Sequence, residues 1–175
     1  MILKLKRTPG IYLVGFMASG KTTIGRALAD ALGWSFVDID EDIEAEQGTT
    51  IAEIFDTRGE EEFRRIETAT IQKRIRFIER GRPMVVALGG GAFAQSRNYQ
   101  LLENNGISLW LDCPFSMVAE RVGRHSHRPL ARDPEKFRQL YEARKAAYKR
   151  ADFRIEIQGD DPVAVVESIL NLPIF

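Results

Sequence analysis

A chain of 175 residues, 44% of them apolar, is long enough to bury one core and points to a single compact α/β domain rather than a disordered or fibrous chain. Lys plus Arg and Asp plus Glu balance at 25 each, so the net charge is zero, which argues against a protein that binds nucleic acid through bulk charge. No apolar run is long enough for a membrane span or a signal-peptide core, and the one cysteine, Cys113, excludes an internal disulfide and fits a reducing cytoplasm.

Strand-length apolar runs at 11–14, 35–37, 84–88, 108–111 and 153–157 alternate with helical patterns, which predicts an α/β fold with a parallel sheet and helices on both faces. The first run leads straight into Gly15-Phe16-Met17-Ala18-Ser19-Gly20-Lys21-Thr22. This matches G-x-x-x-x-G-K-[ST], in which glycines let several backbone N–H groups curl around one anion, the lysine adds charge, and the hydroxyl ligates magnesium. A strand before and a helix after are the context that makes the motif credible, so a bound nucleotide is expected. That helix is predicted from near Gly20 to Leu32, with Gly33 closing it.

The second strand ends at Asp38-Ile39-Asp40, on the carboxyl edge where ligands bind in such sheets. If the chain stays extended there, alternation puts both carboxylates on one side. One could hold a magnesium water and the other face an acceptor hydroxyl; equally, with Glu41, Asp42 and Glu44 following, the pair could be a solvated acidic patch or a helix cap. Thr50-Ile51-Ala52-Glu53 reads as a capping box opening a short helix that ends at Gly59, and a long helix follows over 60–80. These helical residues exceed what one crossover needs, so the stretch of about 39–67 is read as a small substrate-binding subdomain.

The third strand ends in Leu88-Gly89-Gly90-Gly91-Ala92. One or two glycines would serve a turn; three suggest that something approaches the backbone closely. Pro114 and Pro162 are expected in the first turns of helices, Asp161 capping the second. Between them, residues of about 123–134, rich in Arg, His and Pro, are expected to form a lid. Arg64, Arg65, Arg128 and Arg144 could each grip a carboxylate or phosphate in two-pronged fashion, although any single arginine is more simply a surface charge. His125 and His127 lack partners to complete a metal site, and Cys113, Trp34 and Trp110 read as core.

Taken in order, G-x-x-x-x-G-K-T at 15–22, D-x-D at 38–40, E-F-R-R-I-E at 62–67, L-G-G-G-A at 88–92, R-P-L at 128–130 and R-x-x-x-Y at 144–148 resemble the shikimate kinase family. The resemblance covers about residues 11–169. It implies a P-loop NTPase αβα sandwich akin to nucleoside monophosphate kinases, with a five-stranded parallel sheet in the order 2-3-1-4-5. It also implies transfer of the γ-phosphate of ATP to the 3-hydroxyl of shikimate, in aromatic amino-acid biosynthesis, by a monomer in the cytoplasm that binds no nucleic acid or membrane.

Carried over by position, Ala18, Ser19, Gly20, Lys21, Thr22 and Thr23 would wrap the phosphates, and Arg121 with residues 158–162 would hold adenine. Thr22 and, through water, Asp38 would hold Mg²⁺. Asp40 would bond the substrate hydroxyls and accept a proton, with Lys21 and Arg128 neutralising the transferred group. Arg64, Arg144, Gly89, Gly90 and Gly91 would bind shikimate, supported by Phe63 and Glu67. Two positions depart from the family habit: Ala18 stands where glycine is usual, and Asp160 where some members carry a basic residue near adenine. Another small-molecule kinase of similar build, such as a gluconate kinase, and a nucleotide-binding regulator without turnover are the alternatives.

Overall fold

The computed structural model describes residues 10–124 and 133–175. Five strands form one all-parallel sheet: β1 (Gly10–Val14), β2 (Ser35–Asp38), β3 (Met84–Ala87), β4 (Ile107–Asp112) and β5 (Phe153–Glu156). Their order is β2-β3-β1-β4-β5. Every residue of β1 and β3 is buried, which is what a parallel sheet covered on both faces requires, and it explains why these strands read as unbroken apolar runs.

Helices α1 (Lys21–Leu32), α2 (Ile39–Gln47), α3 (Ile51–Glu79), α4 (Ser96–Glu103), α5 (Phe115–Gly123), α6 (Pro134–Tyr148) and α7 (Pro162–Leu170) link and cover the strands, with a short 3-10 turn at Ala92–Ala94. α1 packs with α7, and α3 with both α2 and α4. Gly33 ends α1 in the left-handed conformation, and Asp161 caps α7 with Pro162 in its first turn. Pro114 stands one position earlier than expected. It is extended (ψ 145°) and serves as the N-cap residue of α5, whose first helical residue is Phe115.

The Thr50 hydroxyl accepts from the Glu53 N–H (3.2 Å) and caps the start of α3, which is the threonine half of the expected capping box; the Glu53 carboxylate accepts from the Thr49 hydroxyl. The two helices expected on either side of Gly59 run on as one element, broken at that residue, where φ 83° and ψ 168° interrupt the helical backbone. That region is open essentially to glycine alone, so Gly59 sets the angle between the two halves of α3. The two halves are held by Phe55 against Phe63, with ring centroids 4.6 Å apart.

α2 is tied down by charge. Arg74 of α3 grips Asp42 with two hydrogen bonds (2.6 and 2.8 Å), half-buried on both sides, and Lys73 pairs with Glu46. Two-pronged arginine contacts of this kind fix orientation as well as adding energy. The residues expected to form the lid fall mainly at 125–132; Arg128, His125 and His127 lie outside the described residues. Among the described residues no helix is long and apolar enough to cross a membrane.

Candidate active site

The strand order reverses direction about β1, and the phosphate loop follows the carboxyl end of that strand. Open α/β sheets bind ligands at such a crevice. The loop braces itself: the Ser19 N–H donates to the Phe16 carbonyl (3.2 Å), and Lys21 Nζ donates to the carbonyls of Gly15 and Phe16 (2.9 Å each). The start of α1 carries no side-chain cap and no acidic residue in its first turn, which leaves its N–H groups and the helix dipole for an anion. The Ser19 hydroxyl is buried with no hydrogen-bond partner among the described residues. These features fit a phosphate group. Ala18 sits at φ 60°, a left-handed conformation that costs an alanine about 1–2 kcal/mol, so the loop keeps the shape glycine would give it and carries strain instead.

Thr22 Oγ1 donates to Asp38 Oδ2 (2.8 Å), bringing a hydroxyl and a carboxylate together at the mouth of the loop. Two oxygen donors from the protein suit Mg²⁺, which keeps water and takes phosphate oxygens for its other positions. Asp38 also caps α2, its Oδ1 accepting from the N–H groups of Asp40 (2.9 Å) and Glu41 (3.3 Å). The helix-cap reading of D-x-D therefore holds, and the extended alternation expected for it does not: the chain turns helical at Ile39, and Asp40 lies in the first turn of α2. A helix cap brings the carboxylates near each other by curling the backbone.

Asp40 points at the glycine segment, its Oδ1 2.8 Å from where a Cβ on Gly89 would stand. Burial pushes its carboxyl up to about 6, aided by the charge of Asp38 and opposed by Lys21. A group that titrates near 6 is a usable base at neutral pH.

The three glycines make room for protein side chains. A Cβ on Gly91 would lie 2.5 Å from Arg64 Nη2 and 2.8 Å from Arg144 Nη1. Thus Arg64 from α3 and Arg144 from α6 meet over one glycine, beside Asp40 over another. Gly90 by contrast has nothing nearer than 3.7 Å. Arg64 is anchored by Glu67, one turn along α3 (2.9 Å), and lies over the Phe63 ring at 5.2 Å. Glu67 is buried, which raises its carboxyl pKa, while Arg64 draws it back down. Arg64 Nε is buried with no partner among the described residues, so the site retains an unused donor. Arg65 faces outward, paired to Glu62, and takes no part.

On the nucleotide side a cleft of about 310 Å³ runs past Gly20, Thr23, Arg121, Asp160 and Pro162. Arg121 donates to the Ala18 carbonyl (2.8 Å) and to Asp160 Oδ1 (2.7 Å). Asp160, a departure from the family habit, therefore holds Arg121 at the cleft wall. Two contacts escape sequence reasoning. One is this Arg121–Asp160 pair, which no local pattern signals. The other is the bond from the Tyr148 hydroxyl to the Gly90 carbonyl (2.6 Å): the R-x-x-x-Y spacing places Arg144 and Tyr148 on one helix face, but does not say what the hydroxyl meets.

Fold and site together define a P-loop nucleotide-binding phosphotransferase of nucleoside-monophosphate-kinase-like build. A family model described as shikimate kinase matches residues 17–172. The shikimate kinase of Persephonella marina is 44% identical over 92% of this chain and 96% of its own length, and that of a Sulfurihydrogenibium species is 43% identical over 92% and 95%. A solved structure, shikimate kinase from Acinetobacter baumannii in complex with shikimate, superposes with a TM-score of 0.86 at 35% identity, covering 98% of this chain and 96% of that one. The chain belongs to the shikimate kinase family.

Proposed function

We propose that this chain transfers the γ-phosphate of ATP to the 3-hydroxyl of shikimate, giving shikimate 3-phosphate and ADP, as a cytoplasmic monomer whose site is built from one chain. The observation that carries the reading is the meeting of Asp40, Arg64 and Arg144 around Gly89–Gly91 within reach of the phosphate loop. Two converging guanidiniums suit a carboxylate, and a carboxylate between them and the loop suits a hydroxyl. AMP, the acceptor of an adenylate kinase, would have no use for Asp40 as proton acceptor.

In the reaction the acceptor oxygen attacks the γ-phosphorus, the bond to the β-phosphate oxygen breaks, and Asp40 takes the hydroxyl proton. Residues 18–23 cradle the phosphates through their N–H groups, and Arg121 walls the adenine. Lys21 and Arg128 spread positive charge over the transferred group, in a reaction that relies on positioning and charge neutralisation. When bound at Thr22 and Asp38, a magnesium ion supplies further neutralisation of the phosphate oxygens. Arg64 and Arg144 grip the acceptor carboxylate, with Gly90 offering backbone and Phe63 and Glu67 supporting the ring and Arg64.

The test is ADP release from MgATP by the purified protein with shikimate, with gluconate, with AMP and with no acceptor. Release that depends on shikimate alone is expected. Release with gluconate or AMP instead would overturn the acceptor assignment, and ATP binding without release under any condition would favour a nucleotide-binding regulator.

A further inference from the structure

The turn that presents Gly90 and Gly91 is built from the residues least able to hold a shape by themselves. It closes through one backbone bond, the Ala92 N–H to the Gly89 carbonyl (3.1 Å), and glycine restrains neither peptide plane inside it. An external tie is therefore needed, and the described residues supply one: the Tyr148 hydroxyl donates to the Gly90 carbonyl at 2.6 Å. The Arg144 guanidinium, one helical turn earlier on α6, lies beside the same turn: a Cβ on Gly90 would stand 3.7 Å from the Tyr148 hydroxyl and 3.8 Å from Arg144 Nη1. The hydroxyl thus fixes the glycine turn directly under the guanidinium that crosses it. Its ring cannot drift, because Tyr148 is 2% exposed and leans on Trp110 of β4, with centroids 6.0 Å apart. In a trans peptide the C=O and the following N–H point opposite ways, so holding the Gly90 oxygen also fixes the direction of the Gly91 N–H.

We infer that Tyr148 is a positioning residue for the acceptor, holding the Gly90–Gly91 peptide beside Arg144 in the arrangement that receives the substrate carboxylate. The inference rests on the acceptor site proposed above. It requires no contact between Tyr148 and the substrate. Burial pushes the phenol up to about 12, so it remains a donor throughout the working pH range.

Tyr148→Phe removes one oxygen and keeps the ring, so the variant retains its packing. The expected result is a rise of roughly fivefold to twentyfold in the shikimate KM, equivalent to about 1–2 kcal/mol for a lost buried hydrogen bond, with the MgATP KM within twofold of wild type. In an Arg144→Ala background the same substitution should raise the shikimate KM by clearly less than it does in wild type, because the held peptide and Arg144 serve the same carboxylate. An unchanged shikimate KM in Tyr148→Phe, equal weakening of both substrates, or full additivity with Arg144→Ala would each overturn the inference. Wild-type protein that fails to phosphorylate shikimate at all would instead sink the acceptor reading on which it rests.

Discussion

At the scale of single residues, the site is arranged so that neighbours decide what each group can do. Asp40 gains a usable pKa at a cost in stability. Its folded value of about 6 exceeds the unfolded value of about 3.9, so the native state binds the proton more tightly and loses stability as pH rises from 4 to 6. Above 6 the full penalty, about 2–3 kcal/mol, is present. Asp40→Asn is therefore expected to cut kcat by 10²-fold or more while raising the nucleotide-free melting temperature by a few degrees at pH 7.5 and hardly at pH 4. Near-normal turnover would remove Asp40 from the chemistry, and a gain independent of pH would refute the electrostatic account. Gly91 and Gly90 offer a paired comparison. Gly91→Ala should push both guanidiniums aside and raise the shikimate KM tenfold or more with little loss of stability, since the crowded atoms are flexible side-chain ends. Gly90→Ala, with its nearest contact at 3.7 Å, should be mild in the same assay. Equal effects would mean that the triplet serves only the turn.

Among the elements, α3 does the most positioning. Its first half carries Phe55, its second Phe63, Arg64 and Glu67, and Gly59 sets the angle between them. A Cβ at Gly59 meets nothing within 4 Å, so any penalty for Gly59→Ala comes from the backbone alone. It should amount to about 1–3 kcal/mol in chemical denaturation, with a raised shikimate KM as Arg64 shifts. No change in either would show that the break is incidental. The five strands, the phosphate loop, the Thr50 helix cap and the glycine break were all legible in the sequence, because apolar runs, glycine spacing and cap chemistry are local signals. The geometry of D-x-D was not, because alternation holds only while a chain is extended, and Asp38 ends the strand by capping the helix that contains Asp40. Nor did the triplet reveal what it makes room for. Three glycines announce close approach, but Asp40, Arg64 and Arg144 come from distant parts of the chain, and only the fold brings them together.

For the molecule as a whole, the order of the sheet was legible only through family resemblance, since strand patterns say which segments pair with something and not with which neighbour. Once folded, that order places the phosphate loop, Asp40 and the glycine triplet along one edge of one sheet, so the chain should unfold in a single cooperative transition. MgATP at 100 times its dissociation constant should move that transition by about 2.7 kcal/mol without splitting it. A separate early step for residues 39–67 would show the subdomain to be independently stable. The same order also shapes how the protein is made. β1 is translated first, yet both its partners, β3 and β4, come much later in the chain. At ordinary rates of synthesis the Gly10–Val14 strand waits about 4–14 s for β3, which lies about seventy residues downstream. Throughout that wait an apolar segment with two unpaired edges is held on the ribosome, and the phosphate loop has no finished strand to spring from. A nascent chain thus carries its nucleotide motif long before it can bind a nucleotide, and ATP cannot act as a template for the early stages of its folding.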